Sequence, residues 1–473
     1  MPEEKTYLEF SDANGGSHKF YEVLVRDNEL TIRYGRIGDS GQTQTKTYPT
    51  PDKAKAEASK KVKEKLSKGY ELAVMGVRQK RPVTRRQVTS TTSTALQAPI
   101  LWKFASNSAA FGIFIDAKLC WMGNQDGQVF ALNHQGKVVN RFKLPDGVKC
   151  LVADDVWIYA GCDDGNVYDL TGKLPRLSYK IDENVDIFWL DIKDGLLAVS
   201  DASGGVTTID HDDESQWTRL SQGDDGWMVR CDESRIYHGH SKGITVYDRS
   251  EGRMLWHQKT QGSVLFGWQE ASAVYAGTSN HKVYCFSKDG EIGSVYKCDA
   301  AVYSCATALN GQYVFAGDNS SSIYCFNQGG ERLWKLSTGC GSALSMQFLD
   351  RRVYIVTTDG YLACIDTSET AIGSAQTGTV PETAVIQAPL GEGDAPSAVL
   401  ESTTDTSSGV IVECFREGTK LRVRVVSPGY NSNWKVQFPK DIRIEGERYL
   451  VQEIRESASG GFYRAYGDIQ KLV

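Results

Sequence analysis

Long apolar runs are missing from this sequence. No stretch approaches the roughly 18 consecutive apolar residues of a membrane span, and the longest candidate, Ser108–Leu119, is interrupted by Gly, Asp and Lys. The first ten residues contain several acids and no apolar core of the kind found in a secretory signal. We therefore expect a cytoplasmic protein with no membrane-bound segment.

Paired cysteine motifs and catalytic signatures are also absent. The eleven cysteines are scattered and form no CxxC pair of a zinc ribbon or redox site, which indicates reduced thiols rather than a disulfide framework. No GxSxG, HExxH, Walker-type glycine loop or kinase set occurs. These absences predict a protein that is not an enzyme and that carries no metal and no cofactor.

The chain has 473 residues and a formal net charge of -6. At roughly 150 residues per domain, this length predicts about three folded units. Counted along the sequence, residues 1–90 carry a charge of +6, residues 91–407 carry -15 and residues 408–473 carry +3. Only the two ends have the sign expected of a surface that meets a polyanion such as nucleic acid.

Two stretches of biased composition divide the chain. Residues 76–98 are basic and then rich in Ser and Thr, and residues 369–408 are rich in Thr, Ser, Ala, Gly and Pro. Such composition is typical of linkers. We therefore predict a first domain over residues 1–75, a second over 99–368 and a third over 409–473.

An internal repeat of 37 to 40 residues runs through the middle domain. Each unit reads as short strands of β-branched and aromatic residues separated by turns of Gly, Asn, Asp or Ser, which is the pattern of hairpins. A period near 40 residues with about four strands per unit predicts a β-propeller blade. Seven units predict seven blades; they begin at Trp121, Ile158, Leu196, Ile236, Val274, Val314 and Val353.

The ring of blades is expected to close through its first strand. Outer strands of the fourth and sixth units place Trp256 and Trp334 at the same position, and the last unit lacks such a strand. The segment Ile100–Phe104, which contains Trp102, supplies the missing strand from the other end and would hide two sheet edges. The segment Asp248–Trp256 resembles the repeat of pyrroloquinoline quinone-type propellers; this resemblance implies the fold alone, since the quinone ligands are not found.

The basic first domain reads as a small sheet covered by one helix. Strands are predicted at Tyr7–Phe10, Lys19–Arg26 and Glu29–Tyr34 from their alternation. Thr50 and the following proline mark the start of a helix that ends at Gly69. Its apolar stripe is Ala54, Ala58, Val62 and Leu66, and its lysines are Lys53, Lys55, Lys60, Lys61, Lys63, Lys65 and Lys68.

Four short motifs in the first 73 residues resemble those of the WGR domain, a module found in poly(ADP-ribose) polymerases. They are His18-Lys19-Phe20-Tyr21, Tyr34-Gly35-Arg36-Ile37-Gly38, Gly41-Gln42 and Gly69-Tyr70. The resemblance implies contact with DNA at strand breaks near a 5′ phosphate, and hence a part in DNA repair. By position, Tyr34 would stack on a sugar or base in place of the eponymous Trp, Gly35 would admit the backbone and Arg36 would bind a phosphate.

The same resemblance assigns His18, Lys19 and Tyr70 to the DNA-binding surface. His18 stands where family members often have Asn, and Lys19 adds a salt-sensitive phosphate contact. The linker cations Lys80, Arg81, Arg85 and Arg86 would extend this contact. The chain has no room for the polymerase domain that usually accompanies the module.

Other candidate sites have simpler structural explanations. His238 and His240 have a spacing that a metal site uses, yet a strand edge explains the pair equally well. The acidic runs at residues 210–214 and 224–225 are typical of solvated loops rather than of a calcium site. The cysteines at matching repeat positions, which we assign to the core, are Cys285, Cys325 and Cys364.

The last 65 residues predict a small β-barrel or curled sheet. Strands are expected at 419–426, 434–438, 448–456 and 462–465. Its mixture of arginines and aromatic residues suits nucleic-acid or peptide binding, although the aromatic residues equally suit a core. The residues concerned are Arg422, Arg424, Arg443, Arg455, Tyr430, Trp434, Tyr463 and Tyr466.

Together these observations predict a mainly β, multidomain protein that acts as an adaptor between two binding partners. The first domain would bind DNA at nicks or phosphorylated ends, while the propeller would recruit a protein partner, with the chain a monomer. The alternative is a protein scaffold that docks through the first domain without nucleic acid. A propeller enzyme is the least favoured class, because the site residues are missing.

Overall fold

The computed structural model describes residues 4–11, 18–36, 41–72, 91–181, 186–380, 386–387 and 409–472. The chain divides into two compact units. The first comprises Met1–Arg86 with Asp182–Asp186, and the second comprises Gln87–Ile181 with Ile187–Val473. Among the described residues, no helix is both long and apolar enough to cross a membrane.

The first unit contains a five-stranded antiparallel sheet and one helix. The order across the sheet is β4-β3-β2-β1-β5. Its elements are β1 (Glu4–Ser11), β2 (His18–Arg26), β3 (Glu29–Arg36), β4 (Gln42–Thr47), α1 (Pro51–Leu66) and β5 (Glu71–Leu72). Three strands were predicted; β4 was missed because its six residues are all exposed and polar, so it carries no alternation of apolar and polar residues.

Helix α1 begins and packs as its sequence predicts. The Thr50 hydroxyl accepts a hydrogen bond from the Lys53 backbone amide at 3.3 Å, and Pro51 is the first helical residue. Ala54 and Ala58 are buried in one apolar cluster with Leu8, Tyr21 and Val23 of the sheet. The apolar side chains of α1 are less buried toward the end of the helix, where Leu66 is exposed.

The second unit begins with seven consecutive antiparallel sheets. In the first six sheets, strands adjacent in sequence pair with one another, and the seventh adds strands from distant parts of the chain to β31, β32 and β33. In chain order the strands are β6 (Ile100–Ala105), β7 (Ala110–Ile115), β8 (Cys120–Asn124), β9 (Gln128–Leu132), β10 (Val138–Lys143), β11 (Val148–Asp154), β12 (Trp157–Cys162), β13 (Asn166–Asp169), β14 (Arg176–Lys180), β15 (Ile187–Lys193), β16 (Leu196–Asp201), β17 (Gly205–Ile209), β18 (Ser215–Leu220), β19 (Met228–Cys231), β20 (Arg235–His240), β21 (Gly243–Asp248), β22 (Met254–Gln258), β23 (Val264–Gln269), β24 (Ala273–Thr278), β25 (Lys282–Ser287), β26 (Ile292–Lys297), β27 (Val302–Ala308), β28 (Tyr313–Asp318), β29 (Ser322–Asn327), β30 (Arg332–Ser337), β31 (Ala343–Leu349), β32 (Arg352–Thr357) and β33 (Tyr361–Asp366).

These sheets form a closed seven-bladed β-propeller. The innermost strands β7, β11, β15, β19, β23, β27 and β31 contact one another in order, and β31 contacts β7 to complete the ring. The predicted fold class is therefore confirmed: mainly β, with a small α+β domain in front. The finer likeness to quinone-type propellers stays a prediction.

Ring closure occurs as predicted, through β6. This strand pairs with β33 as the outer strand of the seventh blade, with Trp102 opposite Cys364. The Trp102 indole nitrogen donates to the His134 carbonyl of the next blade at 2.9 Å. Trp217 and Trp256 make the same contact across their own blade boundaries, to residues that are also 32 positions further along the chain.

Both predicted linkers carry ordered structure at their propeller ends. Gln97 forms a parallel bridge with Ser337, so the linker over 76–98 ends alongside the sixth blade. The linker over 369–408 opens with helix α2 (Glu369–Gln376), because Ser368 caps the helix and Ile372 buries against the propeller core. Strand β34 (Ile386–Gln387) then pairs with β6. In their described parts the two stretches therefore contain a helix, a short strand and a bridge that the sequence did not predict.

The C-terminal residues form a closed five-stranded barrel. Its order is β35-β36-β37-β39-β38, with a short 3-10 helix at Lys440–Ile442. The strands are β35 (Val410–Glu417), β36 (Lys420–Val425), β37 (Lys435–Gln437), β38 (Arg448–Glu456) and β39 (Phe462–Lys471). The barrel core includes Val412, Cys414, Val423, Val436 and Tyr449.

The barrel packs against the second and third blades. Arg464 of β39 forms a 2.7 Å ion pair with Asp154, and its other terminal nitrogen donates to the Tyr159 hydroxyl at 2.7 Å. Phe462 stacks on His211 with ring centres 3.7 Å apart. The sequence predicted the barrel as a third separate unit, whereas these contacts join it to the propeller in one compact unit.

Candidate functional site

Strand pairing in the first unit brings the predicted site residues to one end of the sheet. Lys19 of β2 lies opposite Arg36 of β3, and Tyr21 lies opposite Tyr34. Tyr34 is in turn paired with Gln42 of the edge strand β4. Because alternate residues of a strand share a face, Lys19, Tyr21 and Tyr34 lie on the face that α1 covers.

An aromatic cluster lines this end of the sheet. Tyr21 stacks on Tyr34 with ring centres 6.2 Å apart, and its other neighbour, Tyr70, lies 6.4 Å away. Tyr70 also contacts Phe10 at 5.2 Å. The rings of Tyr34 and Tyr70 are half-buried, so each one offers part of its surface to a ligand.

The Tyr34 side chain is held in place by the edge strand. Its hydroxyl donates to Gln42 Oε1 at 3.1 Å and accepts from Gln44 Nε2 at 3.1 Å. A tyrosine at position 34, where the motif usually has Trp, therefore forms two hydrogen bonds to the exposed strand β4. The ring is braced on one side by Tyr21 and at its tip by the two glutamines.

Lysines surround the aromatic cluster. The Lys65 ammonium lies 4.5 Å from the Tyr21 ring centre and 5.1 Å from that of Tyr70. Partial burial, followed by the nearby charge of Lys68, lowers the pKa of Lys65, and burial raises the pKa of Tyr70. Lys19 is exposed beside this group. The site therefore combines stacking surfaces with positive charge, which is what binding to a sugar-phosphate chain requires.

Gly35 has a packing role in the structure. A Cβ at Gly35 would lie 2.8 Å from the Gly41 Cα and 3.3 Å from the Phe20 ring. Gly41 itself has a φ of 69° and lies against the same ring. The two glycines thus let β3 and the start of β4 approach over Phe20, a reason within the chain for the motif glycine that the sequence reasoning assigned to ligand approach.

Two of the predicted residues are described through their backbone alone. Arg36 ends β3 and pairs with Lys19, and His18 begins β2 and pairs with Ser11. Both backbones reach the same end of the sheet as Tyr34. The linker cations Lys80, Arg81, Arg85 and Arg86 lie outside the described residues.

The C-terminal arginines and aromatics are largely taken up by internal contacts. Arg422 pairs with Asp212 of the propeller at 2.7 Å, and Arg443 is buried and bonds to the Phe438 carbonyl. Tyr463 is 7% exposed within the barrel core. The remaining members pack or pair as well: Arg424 with Glu413, Arg455 with Glu453, Tyr430 and Trp434 with Tyr463, and Tyr466 with Trp157. The structure thus favours the core interpretation of this set.

The other weighed residues have roles within the blades. His238 Nδ1 lies 2.6 Å from the Ser221 hydroxyl, and His240 Nε2 lies 2.8 Å from that of Thr245. Burial lowers the pKa of His238 to about 3 and that of His240 to about 4, so both are neutral. Burial raises the pKa of Cys364 to about 12, which leaves it an unreactive thiol.

The sequence reasoning missed several members of the site. Tyr21 was quoted only as part of a motif, yet it is the ring on which Tyr34 stacks. Lys65 was counted among surface lysines, although its position one turn before Gly69 places it over two tyrosines. The pairing of β2 with β3 is the signal that could have brought Tyr21 to Tyr34.

A basic, aromatic-lined module of this kind, which precedes the β-propeller in the sequence, has the features of a binding domain. The family profile that matches the chain is the WGR domain, over residues 4–76. Residues 4–76 are therefore a WGR domain, which is a nucleic-acid-binding module. The predicted family of the first domain is thus confirmed.

Relatives of known sequence or structure resemble parts of the chain. The uncharacterized protein YfeS of Escherichia coli (strain K12) is 34% identical over 55 residues, which is 12% of this chain and 22% of that protein. The chain thus spans about a fifth of the length of this curated relative. The crystal structure of the computationally designed Ika8 protein matches with a TM-score of 0.48 and 15% identity, over 57% of this chain and 99% of that one.

Proposed function

We propose that the protein is a non-enzymatic DNA-binding adaptor. Its WGR domain binds DNA at nicks or 5′-phosphorylated ends, and its propeller binds a protein partner, so that the partner is brought to the DNA. The observation that carries the proposal is the cluster of Tyr34, Tyr70 and Lys65 at one end of the WGR sheet, with Lys19 beside it.

The chemistry of this cluster suits the end of a DNA strand better than its middle. Half-buried rings can stack on a sugar or base that is open on one face, as at a nick or end. Lysines and Arg36 supply the charge that phosphates need, and arginine adds a planar pair of donors. A terminal phosphate carries more charge than a bridging one, which favours this site further.

Fluorescence anisotropy of the full-length protein tests the proposal. The probes are an intact duplex, a nicked duplex and a duplex with 5′-phosphorylated ends, each at two salt concentrations. We expect tighter binding to the nicked and phosphorylated probes, weakened by salt and lost in Arg36→Ala. Equal binding to all three probes would show that the protein does not prefer DNA breaks. Absence of binding at low salt would refute the proposed DNA binding.

Two matched pairs of variants separate the site from general charge. Lys65→Ala and Lys53→Ala remove one lysine each from opposite ends of α1, about 18 Å apart at 1.5 Å per residue. Lys19→Ala and Arg26→Ala remove one positive charge each from opposite ends of β2. We expect Lys65→Ala and Lys19→Ala to weaken binding several-fold, and the partner variants to have a smaller effect.

The second candidate function is a protein scaffold without nucleic acid. The exposed edge strand β4, which is polar along its whole length, favours it, because an exposed edge can pair with a strand of another protein. Substitution of Thr45 by Pro would block such pairing. Protein binding that is lost in this variant, with no DNA binding in the anisotropy assay, would support the scaffold.

We further propose that the protein works in the cytoplasm as a monomer. All eleven cysteines are free thiols, which suits a reducing compartment. The propeller supplies a rigid circular surface for its partner, the usual role of such rings. Sedimentation of the purified chain, and capture of partners with the propeller intact, would test the oligomeric state and the recruitment separately.

A further inference from the structure

The central channel of the propeller contains an open cavity of about 240 Å³. The walls come from the innermost strands of six blades, namely β7, β11, β15, β19, β23 and β31. The lining combines polar side chains with apolar ones, which include Phe114, Trp189, Phe266, Trp268 and Met346. A space of this size is smaller than the pockets that hold drug-sized ligands, so it suits only a small molecule.

Arg230 is the central polar group of this cavity. Its guanidinium carbon lies 5.9 Å from the ring centre of Trp189, 5.3 Å from that of Phe266 and 5.4 Å from that of Trp268. Its Nε donates to the Gly267 carbonyl at 2.9 Å. Three rings and one hydrogen bond therefore hold the guanidinium in a fixed orientation.

The terminal nitrogens of Arg230 are left without a close acceptor among the described residues. The nearest acid is Asp191, whose Oδ1 lies 4.0 Å from Nη1, too far for a hydrogen bond. The other Asp191 oxygen already accepts the Cys231 amide at 2.7 Å. Arg230 is only 13% exposed, so its terminal nitrogens face the cavity and are open to an acceptor that enters it.

The remaining polar groups of the lining are already engaged. Gln347 uses both its amide atoms on the backbone of Ile115, at 2.8 Å each. Gln269 donates to the Cys231 carbonyl and accepts from Lys288. Lys193 pairs with Glu233 at 3.2 Å, so the unused side-chain donors of the described lining are those of Arg230, next to the aromatic rings.

We propose that this cavity binds a small organic carboxylate. The carboxylate lies on the terminal nitrogens of Arg230, whose planar fork matches two carboxylate oxygens, and the apolar part of the ligand packs on Trp268 and Phe114. The Asp191 carboxylate, 4.0 Å from the same guanidinium, competes with the ligand and weakens binding. The site is separate from the WGR domain and does not depend on DNA binding.

Calorimetric titration of the full-length protein with a panel of acids tests the proposal. The probes are acetate, benzoate, phenylacetate and glutarate, with benzamide as the uncharged counterpart of benzoate. We expect at least one acid with an apolar group to bind more than tenfold tighter than acetate and benzamide. Failure of every acid to bind, or equal binding of benzoate and benzamide, would overturn the proposal.

Two variants with opposite expected effects locate the site. Arg230→Met keeps a long apolar side chain among the rings and should weaken binding at least tenfold. Asp191→Asn keeps an acceptor for the Cys231 amide and should tighten binding several-fold, a gain that misfolding cannot produce. Arg219→Met, on the outer strand β18, is the matched control and should leave affinity unchanged. Unchanged affinity in both Arg230→Met and Asp191→Asn would place the ligand elsewhere.

Discussion

Arg464 of the barrel and Asp154 of the second blade form an ion pair at 2.7 Å, with side chains only 2% and 5% exposed. The Asp154 carboxylate also accepts the backbone amides of Asp194 and Gly195 from the third blade. One carboxylate thus joins two blades and the barrel, 310 residues apart in sequence. This contact explains why the barrel and propeller form one compact unit.

Removal of Arg464 is expected to destabilise the second unit strongly. In Arg464→Met, Asp154 remains buried without its partner, and breaking a buried pair from one side costs about 3–5 kcal/mol. Urea unfolding followed by circular dichroism measures the change. Arg416→Met, which breaks the exposed pair with Glu445, should cost less than about 1 kcal/mol; equal effects of the two variants would contradict the assigned role of Arg464.

The variant Gly195→Ala tests how tightly the barrel packs against the propeller. It has a φ of 73°, and a Cβ there would lie 2.6 Å from the Phe462 ring. Gly165 has a φ of 84° with no atom within 4 Å of its Cβ position. Both alanine variants bear the backbone cost of about 1 kcal/mol, but Gly195→Ala should cost about 1–3 kcal/mol more because of the clash.

Thermal unfolding of the two glycine variants provides the comparison. A larger loss of melting temperature in Gly195→Ala supports tight packing of Phe462 on the third blade. The same loss in both variants would mean that the barrel lies further from this turn than the structure shows.

Closure of the propeller should depend on Trp102. Its side chain is 4% exposed and bonds to the His134 carbonyl of the first blade. Trp102→Ala is expected to cost about 3–5 kcal/mol, the usual range for a buried aromatic. Leu101→Ala, on the same strand but half-buried, should cost less. Thermal unfolding followed by circular dichroism measures the loss of stability in both variants. Equal losses in the two variants would contradict a role of Trp102 in closing the propeller.

The Tyr34 ring, rather than its hydroxyl, should carry the contribution to DNA binding. Tyr34→Phe loses the hydrogen bonds to Gln42 and Gln44 and should change affinity by less than about threefold. Tyr34→Ala removes the stacking surface, which is worth roughly 1–3 kcal/mol per base, and should weaken binding by about tenfold. Anisotropy with the nicked duplex compares them; a large loss in Tyr34→Phe would assign the role to the hydroxyl.

Asp191 is expected to make stability depend on pH. Burial raises its pKa to about 6, against an ordinary value of 3.8, although Arg230 lowers it in part. The folded protein therefore holds a proton that the unfolded chain releases, and stability falls as pH rises from about 4 to 6. The shift corresponds to roughly 3 kcal/mol. Melting temperatures of wild type and Asp191→Asn across this range should differ in slope, and parallel curves would exclude a raised pKa.

Much of the fold follows from local pattern. The repeat near 40 residues predicted seven blades because each blade is a meander of strands adjacent in sequence, whose turns and alternation are local signals. The helix of the first domain was predicted from Thr50, Pro51 and its alanine stripe for the same reason. Strand β4 was missed because an edge strand that is exposed on both faces needs no apolar pattern.

The site was predicted in part. Motif order identified the WGR domain and with it Tyr34, Gly35 and Arg36. The contact of Tyr34 with Tyr21, and the position of Lys65 over the rings, depend on which strands pair and where the helix ends. These contacts depend on strand pairing and helix packing, and sequence spacing alone does not report them.

The sequence by itself determined the class of each domain, through periodicity, turn residues and motifs that act over short distances. Tertiary structure alone decided how the barrel meets the propeller, since Arg464 and Asp154 are separated by most of the second unit. It likewise decided that Arg422 joins the barrel to Asp212 of the propeller and that Arg443 bonds within the barrel. It also decided that Arg230 meets three aromatic rings from two neighbouring blades. Long-range packing is specified by the complementarity of whole surfaces, which no local pattern records.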